Sequence, residues 1–465
     1  MAAFDPESLV TTLAPFEAAG RVWVAYSGGL DSTVLLRAAA AVRERLPGPL
    51  WAVHVDHGLH PDSRRWREHC RVTCEDLAIP LRARQVEAQS GRGESPEAVA
   101  RAARYGEFSA LLAPGDLLLT AHHQDDQAET LLLALIRGSG VHGLAAMPLV
   151  ADLGLGRLVR PLLGYPRSAL EHYARTLGLT WLEDPSNGEP AMDRNYLRQL
   201  VLPLIRARWP AVSATLSRSA AHCADAAALV DLAAGRELPG LAGERPGTLS
   251  IPGLARLEWA LRKAVLRLWL RRRGFLGPDS AHLGRILDEV LSARPDADPL
   301  VAWRGCEVRR YRQDLFALRP LPQVPTAPDL CWAGPVLELP HGLGTLERLP
   351  EGGRAAPESP ALPPWRVRFG VPELVCRPPG GVCHRPLKKL FQEAGVPPWL
   401  RPYVPLVFEG DDLVAVVGVC ACVSAQVAAD TGFEAAAAVP LTALVPAPPR
   451  VRWSGHPWES LGYFR

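Results

Sequence analysis

The chain has 465 residues, of which 48% are hydrophobic and 22% charged, a balance that allows two or three folded domains and excludes a wholly disordered or collagen-like protein. Its 51 basic and 49 acidic residues leave a formal net charge of +2, which by itself argues mildly against a nucleic-acid partner. Nine cysteines without a CxxC pair predict no disulfide framework, structural zinc or iron–sulfur cluster. With no secretory signal and no apolar run long enough for a membrane span, we expect a cytoplasmic protein without a membrane partner.

Strand and helix patterns alternate over the first 180 residues. Short apolar strands are predicted at 22–26, 50–55 and 117–121, and amphipathic helices at 32–45, 64–77, 94–112 and 125–137. This alternation predicts an α/β fold, a doubly wound parallel sheet covered by helices on both faces. Ligands of such sheets bind at the carboxyl ends of the strands.

The pattern changes in the second half of the chain. Strand signals fade and helices are predicted at 196–208, 213–234, 257–273 and 281–291, several of them rich in arginine. We therefore expect a catalytic domain over 1–215 and an Arg-rich α-helical domain over 216–320. A Pro-rich linker with at most a small hairpin is expected over 321–364. It leads to a small α+β domain over 365–445, which contains a strand at 413–419, and a flexible tail over 446–465.

The strongest local signal lies between the first strand and the first helix of the predicted sheet. It reads Ser27-Gly28-Gly29-Leu30-Asp31-Ser32. Two glycines bring backbone N–H groups close to an anion, two serines add hydroxyl donors, and the helix directs its positive end at the same place. A Walker lysine is absent, so the loop suits a departing pyrophosphate better than a transferred phosphoryl group. The alternative is an ordinary glycine turn before a helix.

Two other strand ends carry polar side chains. His54 and Asp56 end the second strand, where they either contact a nucleotide or, more commonly for such residues, satisfy the strand end itself. After the third strand, a helix from 125 onward would place Asp126 and Glu129 on one face, with His122 just before the first turn. Such a cluster holds Mg²⁺ around ATP or accepts a proton from an amine, although acidic residues also occur there as dipole complements. It lacks the HExxH spacing of a zinc protease.

Three further segments carry a family resemblance. The first is Glu97-Ala98-Val99-Ala100-Arg101-Ala102-Ala103-Arg104-Tyr105. The second has two parts, Glu183-Asp184-Pro185-Ser186-Asn187 and Asp193-Arg194-Asn195-Tyr196-Leu197-Arg198. The third is the stretch at 387–401, which contains Lys388-Lys389 and Arg401. Together with the 27–32 loop they resemble the tRNA(Ile)-lysidine synthetases of the long bacterial type, members of the N-type ATP pyrophosphatase (PP-loop) superfamily. The resemblance covers 22–220 and 385–420; one departure is a shortened spacer between Gly380-Gly381 and Lys388.

The resemblance implies a definite reaction. ATP, as its Mg²⁺ complex, would adenylate carbon 2 of the wobble cytidine in the isoleucine tRNA with a CAU anticodon. The ε-amine of free L-lysine would then displace AMP, which changes AUG decoding to AUA and methionine identity to isoleucine. Whether the enzyme works as a homodimer stays open.

The resemblance also implies roles for individual residues. ATP would be bound by Ser27, Gly28, Gly29, Leu30, Asp31, Ser32, His54 and Asp56, with Asp31 near the Mg²⁺. The reaction centre would consist of Asp126, His122 and Glu129, with Arg101 and Arg104 neutralising phosphate charge. The tRNA would be contacted by Arg194, Asn195, Arg198, Lys388, Lys389 and Arg401, although a solvated helix face is the alternative for Arg194 and Arg198.

Two other functions fit parts of the pattern. Another adenylating tRNA enzyme, such as a base thiolase, would need a CxxC pair or a cysteine beside the active-site loops, and Cys70 and Cys74 are expected on a helix away from them. A non-catalytic tRNA-binding protein would not need the intact loop and the His122–Glu129 cluster.

The distribution of charge favours the main interpretation. Residues 1–150 contain 14 basic and 18 acidic residues, so the +2 total leaves a net charge of +6 for 151–465. Residues 256–273 alone contain seven basic residues and one acidic residue. The small total therefore conceals an acidic domain suited to a cationic amino acid and basic helices suited to RNA.

Overall fold

The computed structural model describes residues 3–56, 63–86, 96–183, 192–294, 297–325, 329–349, 364–370, 373–379, 384–422 and 450–461. The chain forms two compact units, residues 1–229 and 230–465. We expected the first boundary after residue 215, but a helix without an internal proline, Val212–Glu237, runs through that position.

The first unit contains the alternating elements. Its helices are α1 (Glu7–Leu13), α2 (Leu30–Ala41), α3 (Ser63–Asp76), α4 (Pro96–Leu111), α5 (Gln124–Ile136), α6 (Val141–Leu144), α7 (Arg167–Thr176), α8 (Asp193–Tyr196), α9 (Leu202–Arg208) and the start of α10 (Val212–Glu237). Its strands are β1 (Val22–Ala25), β2 (Leu50–Asp56), β3 (Leu81–Gln85), β4 (Leu117–Leu119), β5 (Val150–Leu153) and β6 (Gly156–Val159).

These strands form one sheet in the order β3-β2-β1-β4-β6-β5, parallel except for the edge pair β5–β6. The predicted doubly wound parallel sheet is therefore confirmed. Alternate residues of β1 point to opposite faces: Val22 and Val24 pack in the core beneath α2 and α7, and Trp23 packs with Phe108 of α4 on the other face. Because the strand order reverses between β1 and β4, a crevice opens at their carboxyl ends.

The second unit is richer in strands than expected. Its helices are the remainder of α10, α11 (Ile251–Ala255), α12 (Trp259–Arg272), α13 (Ser280–Arg285) and α14 (Leu387–Glu393). Its strands are β7 (Leu249–Ser250), β8 (Leu300–Trp303), β9 (Cys306–Tyr311), β10 (Asp314–Leu318), β11 (Leu330–Trp332), β12 (Val336–Glu338), β13 (Thr345–Leu349), β14 (Trp365–Arg368), β15 (Val375–Cys376), β16 (Arg385–Pro386), β17 (Leu406–Glu409), β18 (Asp412–Val416), β19 (Cys420–Ala421) and β20 (Arg450–Ser454).

The region 216–320, predicted to be helical, contains an antiparallel sheet in the order β7-β10-β9-β8. The sequence gives only a weak signal for this sheet, because β9 places a charged residue, Arg310, at one of its buried positions. The burial of β9 nevertheless alternates as a half-buried strand requires, with Cys306 and Val308 inside. Gly305 and Arg312 adopt positive φ in the turns on either side of β9, which returns the chain antiparallel each time.

The expected linker and tail also differ from the structure. Of the segment 321–364, residues 350–363 lie outside the described residues, but β12 and β13 form the anticipated hairpin and β11 pairs with β14. Of the segment 446–465, only 450–461 is described, and there β20 pairs with β13. The many prolines favour a linker when only the sequence is considered. In the structure they lie between the short strands and not within them, so they do not prevent strand pairing.

A disulfide joins Cys376 to Cys422 in the second unit, against the expectation of no disulfide framework. The two residues are 46 positions apart, a spacing that gives no signal in the sequence. Among the described residues, no helix combines the length and apolar character needed to cross a membrane.

We expect the Trp453→Ala variant to lose about 3–5 kcal/mol of unfolding free energy, the usual cost of truncating a buried tryptophan. Trp453 is 4% exposed in β20 and donates from Nε1 to the Leu343 carbonyl oxygen at 2.7 Å. The measurement is urea denaturation. Val336→Ala, at a 56% exposed position of the same sheet, serves as the control. A Trp453 variant as stable as this control would mean that β20 is a dispensable tail.

Candidate active site

The loop between β1 and α2 is held in one conformation by its own hydroxyl groups. The Ser27 backbone N–H donates to Ser32 Oγ at 3.2 Å, and the two serine oxygens are 3.0 Å apart. Ser32 Oγ donates in turn to the Gly29 carbonyl oxygen at 3.0 Å. Gly28 has a φ of +86°, and a Cβ there would lie 3.2 Å from Cys70 Sγ, so this turn requires glycine.

The helix that follows directs its first turn at the same loop. α2 begins at Leu30, and among the described residues no side chain caps its N-terminus. The backbone N–H groups of its first turn therefore remain available at the carboxyl end of β1. Together with the two serine hydroxyls and the positive end of the helix, they have the arrangement that a phosphate cradle requires; phosphate binding by this loop stays a prediction.

Asp31 lies in the first turn of α2 and has one oxygen suited to a metal ion. Its Oδ1 is buried and receives no hydrogen bond from the described residues, although Arg167 Nε lies 3.8 Å away. A buried carboxylate oxygen with open lone pairs beside a phosphate cradle fits Mg²⁺, which binds through one or two carboxylates and substrate phosphates.

The helix after β4 begins with a reciprocal cap. His123 is the N-cap of α5: in the neutral imidazole its Nδ1 accepts from the Asp126 backbone N–H, and in either protonation state the Asp126 carboxylate accepts from the His123 backbone N–H at 3.0 Å. Thr130 Oγ1 donates to the Asp126 carbonyl oxygen at 2.7 Å on the same face. Asp126 thus caps the first turn of its helix, a common structural role for an acidic residue at this position. Its second carboxylate oxygen, Oδ1, is left for other partners.

The sequence analysis selected His122, but His123 is the histidine that links the two loops. The ring of His123 is almost fully buried, with Nε2 at 3.7 Å from Asp31 and 3.4 Å from Asp126. Burial opposes its charge, but these two carboxylates outweigh burial and raise the pKa of His123. The adjacent His122-His123 pair in the sequence indicates a histidine at this site. Two neighbouring positions alone do not show which of the two rings points towards the carboxylates.

His122 has the opposite electrostatic character. Its Nδ1 lies 2.9 Å from Thr120 Oγ1, and burial lowers its pKa to about 3, helped by the Arg160 and Arg101 charges against the attraction of Asp126. The His122 imidazole is therefore neutral near pH 7.

Two arginines bind the carboxylates of α5. Arg198 donates from Nη2 to Asp126 Oδ1 at 2.8 Å and from Nε to Glu129 Oε1 at 2.7 Å. Arg194 donates from Nε to Glu129 Oε2 at 2.8 Å. The two guanidinium side chains are only 21% and 33% exposed, so the alternative of a solvated helix face does not apply. In the structure both arginines complete the carboxylate cluster, and their contact with tRNA stays a prediction.

This cluster keeps Asp126 ionised. Burial would raise the pKa of Asp126, but His123, Arg194, His122 and Arg198 together hold it at about 2. Arg198 in turn has a raised pKa, because its ion pairs with Glu129 and Asp126 outweigh its burial. Asp126 is therefore a carboxylate at neutral pH, with Arg194 and Arg198 as its counter-ions.

An irregular helix presents the two arginines. Between α8 and α9, residues 197–201 form a π-helical turn that contains Arg198. Such turns are frequent at functional sites, because the extra residue shifts side chains around the helix. Asn195, which we assigned to tRNA, is 8% exposed and therefore not displayed on the surface. Residues 184–187 of the neighbouring motif lie outside the described residues.

Other predicted residues do not join this cluster. Arg101 contacts Tyr105, with Cζ 5.0 Å from the ring centroid, and both Arg101 and Arg104 are exposed on α4. His54 Nδ1 lies 2.9 Å from the Tyr26 carbonyl oxygen, and Arg67 donates to Asp56 at 2.6 Å. Burial lowers the pKa of His54. These contacts favour the satisfied strand end for His54 and Asp56; residues 57–59 lie outside the described residues.

Cys70 is closer to the loop than expected. α3 packs it against the 27–32 loop, where its Sγ lies 3.5 Å from His54 Nδ1, so the expectation that it lies away from the loop is wrong. Burial raises the pKa of the Cys70 thiol, which makes it a poor nucleophile.

The basic residues of the second unit divide into two groups. Several have partners within the unit: Arg262 donates to the Leu254 carbonyl oxygen at 2.8 Å, Arg271 pairs with Asp231 at 2.6 Å, Arg273 donates to the Gly247 carbonyl oxygen at 2.8 Å, and Arg401 donates to the Val396 carbonyl oxygen at 3.1 Å. Lys388 and Lys389 are exposed on α14, whose Leu387, Leu390 and Phe391 are buried.

Comparison with known proteins covers most of the chain. Residues 6–205 match a family model described as a PP-loop domain, 249–316 match a TilS substrate binding domain, and 365–435 match a TilS substrate C-terminal domain. The chain is 40% identical to a tRNA(Ile)-lysidine synthase of Coxiella burnetii, over 93% of this chain and 94% of that protein. It is 43% identical to one of Methylococcus capsulatus, over 83% and 88%. It is also similar to the solved structure of the U34-tRNA thiolase NcsA from Methanococcus maripaludis, with a TM-score of 0.40 and 16% identity over 46% of this chain and 76% of that chain.

We expect His122 and His123 to titrate in opposite directions. NMR of the nucleotide-free chain should show the His123 imidazole titrating above pH 6.5, and the His122 imidazole staying neutral until pH falls to about 3. Because folding favours the charged form of His123, its contribution to stability is complete below pH 6.5 and is lost as pH rises through its folded pKa.

The control for this titration is the Asp126→Asn variant, which removes the nearer carboxylate and should lower the pKa of His123. A His123 that titrates at or below 6.5 in the unaltered chain, or that does not respond to this substitution, would contradict the assigned ion-pair geometry.

Proposed function

The chain belongs to the tRNA(Ile)-lysidine synthase family, and from this premise we propose that it joins the ε-amine of free lysine to carbon 2 of the wobble cytidine in the CAU-anticodon isoleucine tRNA. It is an ATP-dependent tRNA-modifying ligase that forms a carbon–nitrogen bond. In the proposed sequence of steps, ATP adenylates carbon 2 with release of pyrophosphate, and the lysine amine then displaces AMP. The base thiolase and the non-catalytic tRNA-binding protein are not supported, since the relatives match over nearly the whole chain.

One observation carries the proposal for the site. Two buried carboxylates, Asp126 and Glu129, lie at the crevice between β1 and β4, and His123 links Asp126 to the phosphate loop through Asp31. The reaction needs an anion site for the phosphates and a cation site for lysine next to each other. Both lie at the point where the strand order reverses.

We propose that the 27–32 loop binds the ATP phosphates through the backbone N–H groups of α2 and the two serine hydroxyls. Asp31 Oδ1 would hold Mg²⁺, which when bound would neutralise the charge of the phosphates. His54 and Asp56 line the end of the neighbouring strand, where their assignment to the nucleotide stays a prediction.

Lysine binding follows from the charge of the carboxylates. Asp126, with a pKa of about 2, would hold the ammonium group together with Glu129. The amine must lose a proton before it attacks. Of the three groups assigned to the reaction centre, His122 is neutral, but its pKa of about 3 makes it a weak base, so which of Asp126, Glu129 and His122 takes the proton stays unassigned.

The arginines give the order of the two steps. Without ligands, the two carboxylates and the guanidinium groups of Arg194 and Arg198 balance in charge. A lysine ammonium adds a positive charge that this balanced cluster does not favour. The phosphate of adenylated cytidine supplies the compensating anion, since guanidinium groups bind phosphate as readily as carboxylate. Adenylation before lysine entry is therefore electrostatically favoured, and Arg101 and Arg104 on α4 would add to that effect.

We expect Asp126→Asn to lower lysine incorporation into CAU-anticodon tRNA by about 10²-fold or more, the usual range for loss of a charged group at a reaction centre. The assay uses ATP and labelled lysine, and binding of the tRNA is measured on the same sample. Binding should stay nearly unchanged, because the buried side chain does not face a macromolecule.

Asp152→Asn is the matched control, since its side chain is 84% exposed in the same unit. If the unaltered folded chain incorporates no lysine, the proposed reaction is wrong. If Asp126→Asn loses tRNA binding together with activity, the reaction centre has been misplaced.

For the tRNA, we propose that exposed basic residues of the second unit contact its phosphates. The double variant Lys388→Ala with Lys389→Ala should weaken tRNA binding and reduce the salt dependence of log K by about 2, one for each lost phosphate contact. Binding is titrated at several salt concentrations. Arg45→Ala, which removes an exposed arginine paired with Glu7, is the control. An unchanged salt slope in the double variant would exclude both lysines from the tRNA interface.

A further inference from the structure

Three cysteines of the second unit converge on one point. Cys376 ends β15, Cys420 begins β19, and Cys422 follows β19 directly. Their Sγ atoms all lie within 4.8 Å of one another. Cys376 and Cys422 are buried, and Cys420 is partly buried. The active site of the first unit uses none of them.

Local geometry explains the convergence. Cys420 and Cys422 are two residues apart on an extended chain, so their side chains point to the same face. β19 pairs with the end of β18, with Cys420 opposite Val416. Cys376 approaches from a different sheet, in which it lies opposite Arg385. The cluster therefore connects the five-stranded sheet to the separate pair β15–β16.

The spacing fits a thiolate-bound metal. Zinc bound by sulfur at about 2.3 Å in a tetrahedron places neighbouring sulfurs about 3.8 Å apart. Cys376 Sγ and Cys420 Sγ are separated by 3.8 Å. We propose that the reduced chain binds one zinc ion through Cys376, Cys420 and Cys422, three of the four positions that zinc requires. The sequence analysis expected no structural zinc, because none of these cysteines forms a CxxC pair.

The disulfide is the oxidised form of the same site. A dithiol reductant transfers two electrons and two protons to the Cys376–Cys422 bond, becomes a disulfide itself, and leaves two thiols beside Cys420. Zinc then replaces the three thiol protons, which are released to solvent.

The site would have a structural purpose. β15, β16 and β19 have two residues each, too few for backbone pairing alone to hold them. A cross-link at Cys376, by disulfide or by zinc, ties them to the core that contains Cys422 and Phe391.

The test measures metal content, which does not depend on ligase activity. The full chain is purified under a dithiol reductant without chelators, dialysed against zinc, freed of excess metal and analysed by elemental mass spectrometry. We expect one zinc per chain in the unaltered protein and in Cys331→Ser, whose cysteine is exposed in β11. Each of Cys376→Ser, Cys420→Ser and Cys422→Ser should lose at least half of the bound zinc.

A second measurement needs no variant. Cobalt(II) added in place of zinc should give the thiolate-to-cobalt charge-transfer absorption and the visible bands of a tetrahedral sulfur site. Zinc well below one per chain in the reduced protein, or full zinc content in Cys420→Ser, would overturn the proposal. So would a cobalt spectrum without thiolate bands. A chain that keeps the Cys376–Cys422 disulfide under the reductant and binds no metal would show that the disulfide alone is the cross-link.

Discussion

The arrangement of the active site depends on charge compensation for two buried carboxylates. Asp126 and Glu129 are 9% and 1% exposed, and a buried carboxylate without partners would be strongly destabilising. Arg194 and Arg198 supply these partners from a helix 65 to 72 residues later in the chain. The same four charges therefore hold this helix against α5.

The parallel sheet determines where this cluster lies. Because β1 and β4 are neighbours and the strand order reverses between them, the two loops that follow them face one crevice. The first loop carries the phosphate cradle and Asp31; the second carries His123 and Asp126. His123 joins the two loops by approaching a carboxylate of each, at 3.7 Å and 3.4 Å. The proposed anion and cation sites thus become adjacent although their motifs lie far apart in the sequence.

Local patterns were sufficient for the central strands of the first unit, but they missed β3, β5 and β6 and much of the second unit. Strands such as β1 are short, fully apolar runs, which the alternation with helices makes easy to recognise. In β9, an arginine at a buried position, Arg310, masks the period of two, and around β12 and β13 prolines between short strands imitate a linker. At the site, the motifs identified Asp126 and Glu129, but which of two adjacent histidines points inward depends on how α5 begins.

The sequence by itself determined the phosphate loop, the acidic turn of α5 and the doubly wound class, because each of these depends on residues close together in the chain. Tertiary structure alone decided the partners. From the sequence alone, Arg194 and Arg198 are expected to be exposed basic residues. In the folded chain, α8 and its π-helical turn pack against α5 and place the two guanidinium groups on carboxylates. Cys376 and Cys422 are likewise 46 residues apart in the sequence, and only the fold brings them into contact. Pairing energies between distant residues leave no local pattern, since they arise only when the chain brings the two groups together.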